Sequence, residues 1–148
     1  MQGTEGAEFV EGLELEGVEL VIEKGQEKLV ESYSAFTDPW ELFPSKLEEV
    51  LKEKGITHLF VVGLGMFLGQ KGAVDVVAED YCVKSSSVDA ARIGLRTVIV
   101  EDCTKGVATE STEAARKELK EEGVEYMSSS EVKKLFSKGN GEVKELQI

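Results

Sequence analysis

The sequence predicts an α/β domain built on a doubly wound parallel sheet with helices on both faces, a Rossmann-like three-layer arrangement. Three observations predict it. Helical and strand-like segments alternate along most of the chain. The runs "THLFVVG" (57–63) and "RTVIVED" (96–102) are almost continuously apolar, as strands covered on both sides must be. Each helical segment before them or after them stops at a glycine, at Gly55, Gly94 and Gly123.

The elements follow in order. The first dozen residues are Gly-rich and acidic and read as loop. "VELVIEKG" (18–25) has a β-rich centre stopped by Gly25 and reads as a short strand. "ESYSAFTDPWELFP" (31–44) mixes aromatics with turn formers, a loop expected to pack its rings inward. Ser45 opens a helix with Glu48 three residues on, a capping box, and Leu47, Val50 and Leu51 share its apolar face. Strand 57–63 follows, then a glycine-rich stretch, then a helix from about Cys82 to Gly94. Strand 96–102 leads to the charged helix 111–123, the short strand 124–128, and a last helix capped by Ser128 and Glu131. Residues 1–137 read as one domain and 138–148 as a tail.

At 148 residues the chain has room for a real core. Its 29 acids against 17 bases give a net charge of −12. That charge disfavours nucleic acid and anionic membrane as partners, since both need clustered Lys and Arg. No apolar run reaches the roughly 18–20 residues of a membrane span, and "MQGTEGAEFVEG" has no basic or apolar stretch of a secretory signal. Two cysteines, Cys82 and Cys103, make no disulfide framework, so a reducing, cytoplasmic setting (or a nuclear one) is the simplest expectation.

Chemistry is expected beyond the carboxyl ends of the strands, which draws attention to residues 59–87. Four glycines (Gly63, Gly65, Gly69, Gly72) crowd this stretch. They do not make a nucleotide loop. In a G-x-G-x-x-G reading Leu68 takes the third glycine's place, and in a P-loop reading Gln70 does, with no G-K-[ST] after it. Cys82, at the expected helix start, is the better candidate. Free N–H groups and the positive end of the helix dipole favour a thiolate there. The plain alternative is a small buried hydrophobe, a description that suits Cys103 better still.

The segments "QGTEGAEF" (2–9), "IEKGQEKLVESYSAF" (22–36), "GITHLFVVGL" (55–64) and "AEDYCVKSSSVDAARIGLRTVIVEDCTKGV" (78–107) occur in the order and at the approximate spacing of one family. Together they resemble the nicotinamidase branch of the isochorismatase-like cysteine hydrolases. The resemblance implies an amide hydrolase that turns nicotinamide into nicotinate and ammonia in NAD salvage, through a cysteine thioester. Another amidase or hydrolase on the same fold, and a non-catalytic interaction module, are the rival expectations. By motif match Cys82 is the nucleophile and Lys24 its ammonium partner; outside the family Lys24 would read as a solvated lysine at a strand end. Backbone N–H groups between Ala78 and Cys82 match an oxyanion hole, and Tyr81 is the aromatic nearest the nucleophile and the expected substrate contact.

Two departures accompany the resemblance. The family's catalytic Asp and its ligands for a divalent, zinc-like metal precede the segment matching "QGTEGA", so the resemblance implies missing N-terminal strands, an internal start at Met1 and a catalytically impaired fragment of the enzyme. His58, the sole histidine, matches no ligand position, and one histidine does not make a metal site. Residues 65–77 separate "VVGL" from "AEDYCV", which adjoin in the family. The expectation is an insertion there, an unspliced intron read in frame being one source. A sheet without its first strand exposes unpaired backbone groups, which a partner, or a second copy in a homo-oligomer, would cover.

Overall fold

The computed structural model describes residues 9, 12, 14, 16–63, 66–68, 74–76, 79–106 and 108–138. Helix α1 (Leu47–Glu53) precedes strand β1 (His58–Gly63), and β2 (Met66–Leu68) and β3 (Val74–Val76) follow. A π-helical turn, Glu79–Val83, runs directly into α2 (Lys84–Arg92). Then come β4 (Arg96–Thr104), α3 (Thr109–Glu121), β5 (Glu125–Met127) and α4 (Ser129–Lys138).

Strands β1, β4 and β5 form a parallel sheet in that order, with Val61 opposite Ile99 and Ile99 opposite Tyr126. Alternation along the strands sends neighbouring side chains to opposite faces. Leu59, Val61 and Ile99 face the layer of α1, α2 and α3. There Ile99 packs with Val88, Leu119 and Val124, while Leu59 joins Leu47, Leu51 and Ala90. Phe60 faces the other way and meets Phe136 of α4, ring centroids 5.5 Å apart. Helices thus cover both faces, the three-layer α/β architecture that the alternation of elements predicts.

β4 is the central strand, and Thr97, Val98, Ile99 and Val100 are all buried. β1 departs from expectation. Its residues are half-buried and Val62 is 57% exposed, because among the described residues no strand pairs with its outer edge. The strand expected at 18–25 does not form; the segment makes no ladder among the described residues. β-rich composition becomes a strand only where a partner offers its backbone groups.

Residues 65–77, expected from sequence to be an insertion, contain β2 and β3, which pair antiparallel as a separate two-stranded sheet. The loop 31–44 buries only Phe36 of its rings, whereas Trp40 and Phe43 are exposed. The cause is local. The buried Asp38 carboxylate accepts the N–H groups of Trp40 (2.9 Å) and Phe43 (2.7 Å), fixing a turn that points those rings outward. Desolvation pushes the carboxyl of Asp38 up, but the N–H donors of Phe43, Trp40 and Leu42 together outweigh it and hold the carboxyl below its usual value.

Candidate active site

Cys82 is the fourth residue of the π-helical turn, not the first residue of α2. The sequence reading placed it at a helix start; the π-turn extends the helical segment backward, so the segment opens on Glu79 instead. The buried turn residues Glu79, Asp80 and Val83 root it in the protein, while Cys82 stays half-buried and Tyr81 stands exposed. Single π-turns of this kind recur at functional sites, because the wider turn re-aims one side chain.

Lys24 reaches this cysteine from 58 positions earlier in the chain. Its Nζ lies 3.2 Å from Cys82 Sγ, 2.6 Å from the Tyr33 carbonyl oxygen and 3.2 Å from that of Ser32. An ammonium has three N–H donors, and here each has an acceptor. Gly25 takes a φ of 66°, which suits glycine, and a turn closed by Val30 N–H on the Glu27 carbonyl (3.3 Å) follows before residues 32–33 lie alongside Lys24.

The loop that carries these carbonyls is fastened just beyond them, at Ala35 and Phe36. Ala35 N–H donates to Ser86 Oγ on α2 (2.9 Å), and Ser45 Oγ donates to the Ala35 carbonyl (2.6 Å). Ser45 N–H donates to the Phe36 carbonyl (2.7 Å), and the Phe36 ring is sunk among Leu47, Leu51 and Ala90. Ser45 therefore serves two tasks. It accepts Leu47 N–H (3.1 Å) at the start of α1, but the reciprocal bond from Glu48 that a capping box needs is replaced by an ion pair to Lys52.

Tyr81, next to Cys82 in the chain, forms a tilted ring pair with Tyr33, centroids 5.6 Å apart. The sequence reading singled out Tyr81 alone; the contact with Tyr33 depends on the fold of the 31–37 loop and has no local signal. Two depressions adjoin the cluster, about 180 Å³ and 240 Å³. Lys24 lines the first and Tyr33 the second, and both run along the 32–38 loop beside the thiol rather than over it. Ala78, the other end of the expected oxyanion stretch, lies outside the described residues.

Sequence reading passed over one group altogether. Glu79, 2% exposed, accepts from Arg116 Nε of α3 at 2.6 Å and from Tyr126 Oη of β5 at 3.4 Å. The hydrogen bond to Glu79 raises the guanidinium pKa of Arg116. Burial, and then the Glu79 charge, push the phenol of Tyr126 well above its ordinary value. The signal available in the sequence was the acidic pair Glu79-Asp80 immediately ahead of a candidate nucleophile.

Cys103 is unpaired and half-buried near the end of β4. His58 begins β1, with Nδ1 2.9 Å from the Thr57 hydroxyl. Among the described residues no three His, Cys, Asp or Glu side chains gather as a metal site would require. The described residues alone do not fit a bound divalent ion.

No family model matches the chain. It is 34% identical over 131 residues to the nicotinamidase of Schizosaccharomyces pombe, an alignment that covers 88% of this chain and 53% of that protein. The pyrazinamidase of Pyrococcus horikoshii, solved in complex with zinc, superposes with a TM-score of 0.65 at 28% identity, over 86% of this chain and 59% of that one. PnC1 of L. infantum, solved in complex with nicotinate, superposes with a TM-score of 0.57 at 32% identity, over 68% and 44%. The chain spans about half the length of the curated relatives it matches.

Proposed function

We propose that this chain, a relative of the nicotinamidases in the isochorismatase-like superfamily, carries the nucleophile half of an amide hydrolase that acts on nicotinamide. The observation that carries the reading is the 3.2 Å approach of Lys24 Nζ to Cys82 Sγ. The L. infantum relative's complex with nicotinate, the acid such a reaction would release, agrees with it.

In this reading the Cys82 sulfur attacks the amide carbon. The carbon–nitrogen bond breaks, ammonia leaves with the thiol proton, and a thioester remains on Cys82. Water then cleaves the thioester to the free acid and restores the thiol. Dividing amide hydrolysis in this way replaces one hard step with two easier ones. The Lys24 ammonium stabilises negative charge on the sulfur before attack. Of the expected oxyanion stretch from Ala78 to Cys82, the N–H of Glu79 is taken by the Lys105 carbonyl, so the N–H of Cys82 and those just before it in the turn receive the oxyanion in this reading. Tyr81, with Tyr33, offers the face for a flat aromatic ring. Two unpaired thiols suit a reducing compartment, the cytoplasm or nucleus, where NAD salvage would use the product.

Residues 65–77 enter the reading as an insertion between β1 and the nucleophile's turn. A displacement of about 1 Å at a reacting centre can cost roughly 100-fold in rate, so excision joining Leu64 to Ala78 is the informative variant. Ammonia release from nicotinamide is measured for the chain and for the excised form, each with and without Cys82→Ala. Release that is faster after excision and abolished by Cys82→Ala is expected, and benzamide and aliphatic amides as competing substrates define selectivity. Iodoacetamide near neutral pH should label Cys82 ahead of Cys103, and Lys24→Met should slow Cys82 about fivefold. That factor corresponds to about 1 kcal/mol for a charge pair in a largely solvated setting. Equal labelling of both thiols, indifferent to Lys24→Met, would sink the reading.

A further inference from the structure

We infer that Glu79, Arg116 and Tyr126 form a positioning clamp that sets the height of Cys82 against Lys24, a role that rests on reading Cys82 as the nucleophile. The clamp joins three elements that share no local sequence: the π-turn, α3 and β5. Glu79 lies three residues before the thiol, and its side chain points into the protein while Cys82 remains accessible.

Every polar atom of the Glu79 side chain is used. Oε1 takes Arg116 Nε (2.6 Å) and Tyr126 Oη (3.4 Å), and Oε2 lies 3.5 Å from Thr104 Oγ1 at the end of β4. The backbone N–H of Glu79 donates to the Lys105 carbonyl at 3.2 Å, so the turn's first residue is tied to the strand end as well. The Arg116 guanidinium also lies over the Tyr126 ring, 5.0 Å from its centroid. Arg116 is thus held by a ring beneath it and a carboxylate at its edge. The next turn residue, Asp80, is buried and accepts Ser111 Oγ of α3 at 2.5 Å.

A buried carboxylate is costly to keep ionised without a partner, and removal of one partner disturbs everything the pair supports. An apolar residue at position 79 would seat the turn equally well if packing were all that mattered. The guanidinium fork of Arg116 engages the carboxylate through Nε alone, and with its plane set over the Tyr126 ring that single charge-assisted bond fixes the direction and the height of the carboxylate. Because a π-turn is one residue wider than the helix that follows, its first residue decides where the fourth, Cys82, projects. The stability of the site therefore depends on groups that never touch the thiol.

The test uses thiol alkylation, which needs no turnover. Iodoacetamide rates of Cys82 and Cys103 are measured in the full chain for Glu79→Gln, for Lys24→Met and for the double variant. Glu79→Gln is expected to slow Cys82 about fivefold and leave Cys103 within twofold, with no further slowing in the Lys24→Met background. Independent, multiplying effects of the two substitutions would overturn the clamp. So would faster labelling of both cysteines, which would mark general loosening. Arg116→Lys keeps the charge without the fork, and it must reproduce the selective slowing if Glu79→Gln does not fold. Should Lys24→Met leave Cys82 unchanged, the pairing of Lys24 with the thiol fails on its own count, separately from the clamp.

Discussion

The three acceptors around Lys24 show how an exposed lysine acquires a fixed address. Lysine is a flexible point charge that normally stays in water, and nothing in "IEKG" sets it apart from other surface lysines. Its placement comes from the carbonyls of Ser32 and Tyr33, on a loop that Ser86 and Ser45 fasten two residues on, at the N–H and carbonyl of Ala35. Ser86→Ala should therefore act at a distance. It leaves the Ala35 N–H without its side-chain acceptor, at a cost of about 1–3 kcal/mol. Urea denaturation should register that loss, and Cys82 alkylation should slow while Cys103 is unaffected. The residue types Cys82 and Lys24 were legible as candidates through an ordered set of motifs. Glu79 was not, because its partners Arg116 and Tyr126 lie 37 and 47 positions away and no local pattern joins them.

Among the elements, α4 was the most legible. Ser128 and Glu131 form the full reciprocal box: Ser128 N–H donates to Glu131 Oε2 (2.8 Å) and Glu131 N–H to Ser128 Oγ (3.3 Å). Asp102 adds a contact that sequence could not supply, accepting both the N–H and the hydroxyl of Ser129 at 2.7 Å. The N–H and hydroxyl of Ser128 lower the carboxyl pKa of Glu131, and the hydroxyl and N–H of Ser129 lower that of Asp102. Both folded values thus lie below the unfolded ones. Their stabilising contribution is full above the ordinary carboxylate values of 4.5 and 3.8 and is lost as pH falls through the folded values. Amide exchange along α4 should accelerate below about pH 4 relative to the amides of β4, and Ser128→Ala should cost about 1 kcal/mol at neutral pH. The segment 18–25 failed as a strand for the converse reason. Caps are local and can be read; a ladder needs a second chain segment.

For the molecule as a whole, β4 is the keystone. Ile99 is fully buried between β1, β5 and the helices α2 and α3. Ile99→Ala should destabilise by about 2–5 kcal/mol, a large part of the roughly 5–15 kcal/mol typical of a domain, and chemical denaturation would measure it. The layer order was legible because buried strands and glycine-stopped helices alternate so regularly. The hairpin of β2 and β3 was not, since neither three-residue strand carries a pattern long enough to register. The edge of β1 that no strand among the described residues pairs with meets the charge of −12 in a way that concerns solution behaviour. Two copies approaching edge to edge must first overcome mutual repulsion, a barrier that reaches about 10 Å at 0.1 M ionic strength and only about 3 Å at 1 M. Light scattering should therefore find single particles in dilute buffer and growing clusters in concentrated sodium chloride, so that desalting, rather than dilution, becomes the way to keep this protein dispersed.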